Sequence, residues 1–342
     1  MTTAPQSTPL HVIVGAGAVG TALARELVAT GARVRILTRS GSGPDHPAIE
    51  RIALDVAAAS TPGPAADRLA ELTRDAVAIH NCANPAYHRW PTDWPPIANA
   101  LLAAAESSGA VLVTCSNLYA YHPDDTLRAS TSGAGMTEDL PLTHPGRKGG
   151  VRARMWADAL AAHTAGRIRA TEVRASDYLG ATAASALGDQ VVPRLLAGKP
   201  GRVLGDPDVP HAVTYVGDVA RLMAVVATDP RAWGRPWHVP THPARTVRQI
   251  VTDLAEVAGV PDAGVQQLPV WFQRALGLVL PFMRELPEVA YQHTTPWRVD
   301  SSAAEQTFGL APTPWQEILV GHLTPYLTAK EAAREKERIA RR

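Results

Sequence analysis

The chain has 342 residues, 46% of them hydrophobic and 19% charged, with a formal net charge of +1. That length holds two ordinary domains or one large α/β unit with a subsidiary lobe, and the composition excludes a mainly disordered chain. The 33 basic residues are balanced by 32 acidic ones with no basic block, so no nucleic-acid partner is expected.

Cys82 and Cys115 are too few for the disulfide framework of a secreted domain. The opening MTTAPQSTP has neither the basic nor the apolar region of a secretory signal. The longest apolar run, Ala275 to Met283, is flanked by Arg274 and Arg284 and falls short of the ~18 residues that a membrane span needs. No membrane partner and a cytoplasmic location are expected.

Apolar runs and helical patterns alternate through the first half. Leu10 to Val14 reads as a buried strand, Val19 to Thr30 as a helix stopped by Gly31, and Val34 to Leu37 as a second strand. A weaker strand follows at Ile52 to Val56, then a helix at Ala66 to Arg74 and a strand at Val77 to His80. Ile97 to Ser108 is a helix, Val111 to Thr114 a strand, Arg147 to Thr164 a helix and Ile168 to Arg174 a strand. This order predicts an α/β fold: a Rossmann-type, doubly wound parallel sheet. A helix at Val216 to Thr228 and a strand at Trp237 to Val239 return to it, and a helix spans Thr246 to Ala258. The expected division is a dinucleotide-binding domain over 1–175 with 212–240 returning, a mostly helical substrate lobe over 176–211 and 241–328, and a charged tail over 329–342.

Gly15-Ala16-Gly17-Ala18-Val19-Gly20 closes the first strand and opens the first helix. In that context the glycines carry a mechanism: Gly15 makes the tight turn, Gly17 lets the backbone approach a pyrophosphate, and Gly20 lets helix and strand pack closely. The helix N-terminus, with Ala18 and Val19, offers free N–H groups to the phosphates. The second strand ends Leu37-Thr38-Arg39-Ser40. An acid there binds the ribose hydroxyl of NAD; Arg39 instead suits the 2′-phosphate of NADP. NADP is therefore expected, with NAD possible. Asp55 is a candidate acceptor from the adenine amine.

The glycine turn, Leu54-Asp55-Val56, Asn81-Cys82-Ala83-Asn84 and Tyr119-Ala120-Tyr121-His122-Pro123 together resemble an extended short-chain dehydrogenase/reductase of the NAD-dependent epimerase/dehydratase group. Val173 to Gly180, Val213 to Ala220, Asp300 to Ala303 and Phe308 to Pro312 extend the resemblance. It implies hydride transfer at a carbonyl or carbinol carbon of a small-molecule substrate, with Asn81 and Ala83 beside the cofactor. It also implies a homodimer through the helices after strands four and five. The family's relay is a strand-five Ser or Thr with a Tyr-x-x-x-Lys. Lysine lowers the phenol pKa and holds the nicotinamide ribose.

Here the tyrosine is missing. The stretch reads Thr143-His144-Pro145-Gly146-Arg147-Lys148, and Lys148 is the only lysine before Lys199. His144 can replace the phenol, since imidazole works near neutral pH, although Pro145 keeps it just before the helix. Tyr119, Tyr121 or water is the other source of a proton, and a site that only binds cofactor is the third reading. Ser116 is the favoured strand-five hydroxyl, with Thr114 in reserve.

Members that hold nucleotide sugars use two diphosphate-gripping arginines. Here His211 stands in the first place, and only Arg298 is basic near the second. A substrate lacking a nucleotide diphosphate is expected, reaching Asp177 and His211, with Trp271, Phe272, Phe282 and Trp297 as a candidate apolar wall. The alternatives are a sugar or sugar-nucleotide epimerase/dehydratase and a catalytically silent NADP sensor. The histidines show no metal-binding spacing on a helix, so no metal is expected.

Overall fold

A computed structural model describes residues 8–181, 185, 187–269 and 285–340. Trp271, Phe272 and Phe282 lie outside the described residues. The first half builds β1 (Leu10–Val14), α1 (Ala18–Ala29), β2 (Arg33–Thr38), β3 (Ile49–Ala53), α2 (Pro64–Thr73), β4 (Ala76–Asn81), α3 (Trp90–Ser108), β5 (Val111–Asn117), α4 (Pro123–Thr131), α5 (Arg147–Thr164) and β6 (Arg169–Ala175). Then come β7 (Asp177–Leu179), α6 (Val192–Leu195), β8 (Gly201–Val203), β9 (Pro210–His211), β10 (Val213–Tyr215), α7 (Val216–Val226) and β11 (Pro236–His238). The last are β12 (Arg245–Thr246), α8 (Val247–Ala258), β13 (Val265–Gln267), α9 (Ser302–Phe308) and α10 (Trp315–Ala340).

Seven parallel strands form the central sheet in the order β11-β6-β5-β4-β1-β2-β3. This is the doubly wound arrangement, and its strand order reverses between β1 and β4, the switch point at whose carboxyl edge ligands bind in such sheets. Alternate side chains feed two cores. Ile13, Val34, Ile36, Val113 and Val173 pack against α1 and α7; Val12, Leu37, Ile79 and Leu112 pack against α3 and α5. A third core, around Leu179, Leu195, Ile250, Leu254 and Leu323, holds the smaller lobe.

Several expectations need correction. The third strand is Ile49–Ala53 rather than Ile52 to Val56. Asp55 accepts from the Ala57 N–H at 3.1 Å and caps a short 3-10 helix starting at Val56, which removes Val56 from the ladder. The helix expected from Ile97 starts at Trp90 and runs through Pro95 and Pro96. Trp90 and Trp94, 1% and 0% exposed, anchor that turn. The guanidinium of Arg152 lies 4.6 Å and 4.3 Å from their rings, and this packing overrides the proline breaks. Helix α4 was not legible as a helix. Ala304 and Phe308 join the sheet-domain core beside Trp237.

Candidate active site

The β1–α1 turn fits a dinucleotide. Gly15 has φ +103°, and a Cβ there would sit 2.5 Å from the Cys82 carbonyl oxygen and 2.9 Å from the Ala83 nitrogen. A Cβ on Gly20 would collide with the Gly15 carbonyl, whereas nothing lies within 4 Å of one on Gly17. The first and third glycines therefore close the turn, and the second leaves a face open. Gly17 is the N-cap of α1, with no side-chain cap and no acid in the first turn. The N–H groups around Ala18 and Val19 thus remain available to an anion. Asn81 is buried and accepts from the Ala83 N–H at 3.3 Å, shaping the strand end opposite. Arg39 is exposed and makes no hydrogen bond or ion pair among the described residues. Its neighbours Thr38 and Ser40 bond to Ser42.

The expected catalytic residues lie on β5 and on the segments that follow it. Ser116 is buried on β5. Helix α5 begins at Arg147 after the N-cap Gly146, so His144 sits before it. His144 Nδ1 accepts from the Gly146 N–H at 2.8 Å. That assigns the proton of a neutral ring to Nε2, which is buried without a hydrogen-bond partner. Burial lowers the His144 pKa, with Glu288 opposing. Gly149 leaves room for this ring: a Cβ there would strike His144 and the Tyr119 carbonyl.

Lys148 is 1% exposed, and carboxylates hold its ammonium: Glu285 Oε2 at 2.6 Å and Glu288 Oε2 at 3.2 Å. The second lobe supplies a counter-charge that a ribose must share or displace. Tyr121 also needs correction as a donor. It is fully buried, and its hydroxyl lies 2.8 Å from both Arg174 and His238 Nε2, inside a closed network with Glu172.

Tyr119 is placed differently. Its hydroxyl pairs with that of Tyr87, and Lys148 Nζ lies 5.8 Å from the Tyr87 ring. Burial pushes the Tyr119 phenol well up, and neighbouring Tyr87 and Asp177 add to it. Burial likewise raises Tyr87, to about 12. Both phenols are protonated at neutral pH, so the pair can give a proton but cannot rest as phenolate.

On the substrate side, Asp177 opens β7 and His211 ends β9. His211 Nε2 lies 3.2 Å from Asp177 Oδ2, and His293 Nε2 lies 3.6 Å from the same oxygen. Burial raises the Asp177 carboxyl, but the two imidazoles outweigh it and bring it down to about 2. His211 stacks on His293 at 4.9 Å and on Trp297 at 6.3 Å. Tyr291 joins this wall to His144, with ring centroids 5.8 Å from both Trp297 and His144. Trp297 itself is 1% exposed, its indole N–H donating to Ser176; it backs the wall rather than facing ligand.

Tyr87, His293, Glu285 and Glu288 were missed in the sequence, because each lies far along the chain from the residues it meets. Cys82 and Cys115 are free thiols, pushed up chiefly by burial. Among the described residues no helix is long and apolar enough to cross a membrane.

Comparisons with known proteins agree with this geometry. The family model described as "NAD dependent epimerase/dehydratase family" matches residues 11–239. No match is found among curated protein sequences. Among solved structures, dTDP-glucose 4,6-dehydratase from Bacillus anthracis in complex with NAD superposes with TM-score 0.71 at 15% identity, covering 95% of this chain and 98% of that one. UDP-N-acetylglucosamine 4-epimerase from Methanobrevibacter ruminantium, in complex with UDP-N-acetylmuramic acid, superposes with TM-score 0.75 at 14% identity, covering 94% and 99%. At such identities the likeness is one of fold. The matched model, spanning the glycine turn, β5 and the β6–β7 edge, settles the family: the chain belongs to the NAD-dependent epimerase/dehydratase family, as an enzyme of the NAD(P)-dependent oxidoreductase/epimerase type.

Proposed function

We propose that the chain catalyses NADP(H)-dependent hydride transfer at a carbonyl or carbinol carbon of a small organic substrate without a nucleotide diphosphate. The observation that carries the substrate class is the engagement of Arg298. Its guanidinium donates through Nη1 to the Ser130 carbonyl at 2.9 Å, which turns part of its fork toward the backbone, while His211 stands where another arginine is expected. Three other described arginines of the lobe are engaged, Arg194 with the Pro200 carbonyl, Arg245 with Asp253 and Arg248 with Asp208, while Arg202 is exposed on β8. A guanidinium fork is the group suited to such a phosphate. The choice of NADP rests on Arg39, exposed and without a partner among the described residues, after a strand that ends without an acid.

The bound nicotinamide supplies or accepts the hydride. The chain's own part is to hold a proton near the reacting oxygen. Tyr119, paired with Tyr87, is the donor favoured by its protonated state, and His144 Nε2 is the second candidate. A donor of this kind favours carbonyl reduction, where an alkoxide forms and takes up the proton.

The second reading is a sugar-nucleotide epimerase or dehydratase with its cofactor recycled in place. It is favoured by the sugar nucleotides named for the superposed structures. One experiment separates the two: UDP-, GDP- and dTDP-sugars are screened for binding to NADPH-loaded protein, and NADPH oxidation is followed with a panel of aldehydes and ketones. The expected result is NADPH consumption without tight sugar-nucleotide binding. Micromolar binding of any sugar nucleotide, with no net NADPH consumed, establishes the second reading instead.

A further inference from the structure

Asp177, His211 and His293 lie far apart in sequence, yet their ligand atoms all fall within 4.8 Å of one another. They arrive from three separate elements: the first residue of β7, the last residue of β9, and the 3-10 turn Ala290–His293. His211 Nδ1 lies 3.0 Å from the Gln292 carbonyl. Because a carbonyl only accepts, Nδ1 carries a hydrogen there, and Nε2 is the ring atom turned toward Asp177, free to offer its lone pair to an ion in that place. That backbone bond is the usual way a metal-ligating histidine is oriented. His211 is 5% exposed, and its Nε2 makes no aligned hydrogen bond although Asp177 Oδ2 is 3.2 Å away. It is a buried ligand-type atom aimed into the cluster, with Asp177 as its near neighbour.

The scaffold around it is built. The His211 ring stacks against Trp297 behind and His293 in front. Gly205, at φ +88°, brings its loop against His293, where a Cβ would meet the His293 Cβ at 2.5 Å. The Asp206 N–H clamps the His293 carbonyl at 2.9 Å. The side chains of Asp177 and His293 remain 28% and 27% exposed, so the cluster is open on the cleft side.

We propose that Asp177, His211 and His293 bind a divalent transition-metal ion, zinc in the first instance, as a two-histidine, one-carboxylate site with an open position facing the cleft. Nitrogen and oxygen donors about 2.0–2.2 Å from a tetrahedral zinc lie roughly 3.3 Å apart. The two separations from Asp177 Oδ2, 3.2 Å and 3.6 Å, already match that edge, and a turn of the partly exposed His293 ring completes the set. Two neutral imidazoles and one carboxylate leave the bound ion with a net positive charge, and its open position takes water or a substrate oxygen. Zinc binding reads this site without any measurement of hydride transfer.

The test uses the full-length protein, stripped with EDTA and exchanged into chelator-free buffer. Zinc chloride is titrated by calorimetry, and cobalt chloride by visible absorption. The expected result is one equivalent of zinc and the d–d bands of low-coordinate cobalt. His293→Ala and His211→Ala should each weaken zinc binding by at least about tenfold and abolish the cobalt bands. His46→Ala, at an exposed position, should leave both unchanged. Thermal melts check folding, and His293→Ala, replacing a partly exposed ring, keeps the test valid if His211→Ala unfolds. No saturable zinc binding, or binding that neither substitution weakens, overturns the site and leaves an imidazole–carboxylate ion pair.

Discussion

Individual side chains carry the sharpest consequences. Arg39 is exposed just past the end of β2 and makes no hydrogen bond or ion pair among the described residues. Arg39→Ala should therefore weaken NADPH binding by roughly ten- to a hundredfold, the value of one charge-assisted bond, and leave NADH binding little changed. Fluorescence titration with both cofactors checks this, and equal affinity of the unaltered protein for NADPH and NADH rejects it. Tyr119→Phe removes the proposed proton donor while keeping the tilted ring contact with Trp90. It should lower kcat by about a hundredfold or more, with KM nearly unchanged. His144→Gln should cost much less; the reverse ranking in steady-state kinetics would transfer the donor's role to His144. These roles were only half visible in the sequence. Tyr119 was one of several candidates, but its partner Tyr87, 32 positions away, carries no motif. The H-x-x-x-K spacing looked like a relay, yet Lys148 is engaged by Glu285 and Glu288 from the other lobe.

At the scale of elements, the strands and their glycine turn were legible because their signals are local. Apolar runs bounded by turns specify buried strands, and the spacing of Gly15, Gly17 and Gly20 needs only its own neighbours. Helix α3 was misread at its start because prolines usually end a helix. Two buried tryptophans stacked on Arg152 are a tertiary effect that propensity does not contain. Strands β1 and β4 carry a further hidden pair. His11 Nδ1 lies 3.0 Å from His80 Nε2 in the sheet interior. Burial lowers His11 to about 4 and holds His80 well below its ordinary value. The folded state therefore binds fewer protons than the unfolded chain below about pH 6.5, and stability falls as pH falls, by ~1.4 kcal/mol per pH unit for each histidine. Chemical denaturation between pH 7 and pH 5 should show this loss. The double variant His11→Leu, His80→Leu should flatten the slope; an unchanged slope would assign the acid sensitivity to other groups.

For the molecule as a whole, the association state follows from faces left over after the cores are formed. Helices α3 and α5 each bury one side on the sheet. Their outer sides meet in a groove lined by Pro91, Pro95, Ala98, Val151 and Met155. We propose that a second copy covers it, as the family resemblance implies. Light scattering should then give twice the chain mass at micromolar concentration. Met155→Glu, placing a charge in the groove, should give monomer with its fold intact. A monomeric unaltered protein would remove the proposal.

By itself the sequence determined the parallel α/β sheet, the dinucleotide turn and the family, because each is written in contiguous stretches whose periodicity and glycine spacing act locally. The tertiary structure alone decided what meets across the cleft. Burial enclosed Tyr121 with Arg174 and His238 and paired Lys148 with two glutamates. Folding also gathered Asp177, His211 and His293 from three distant elements. Such encounters depend on how the lobe's loops return over the carboxyl edge of the sheet, and long-range packing of that kind leaves no spacing for a linear reading to find.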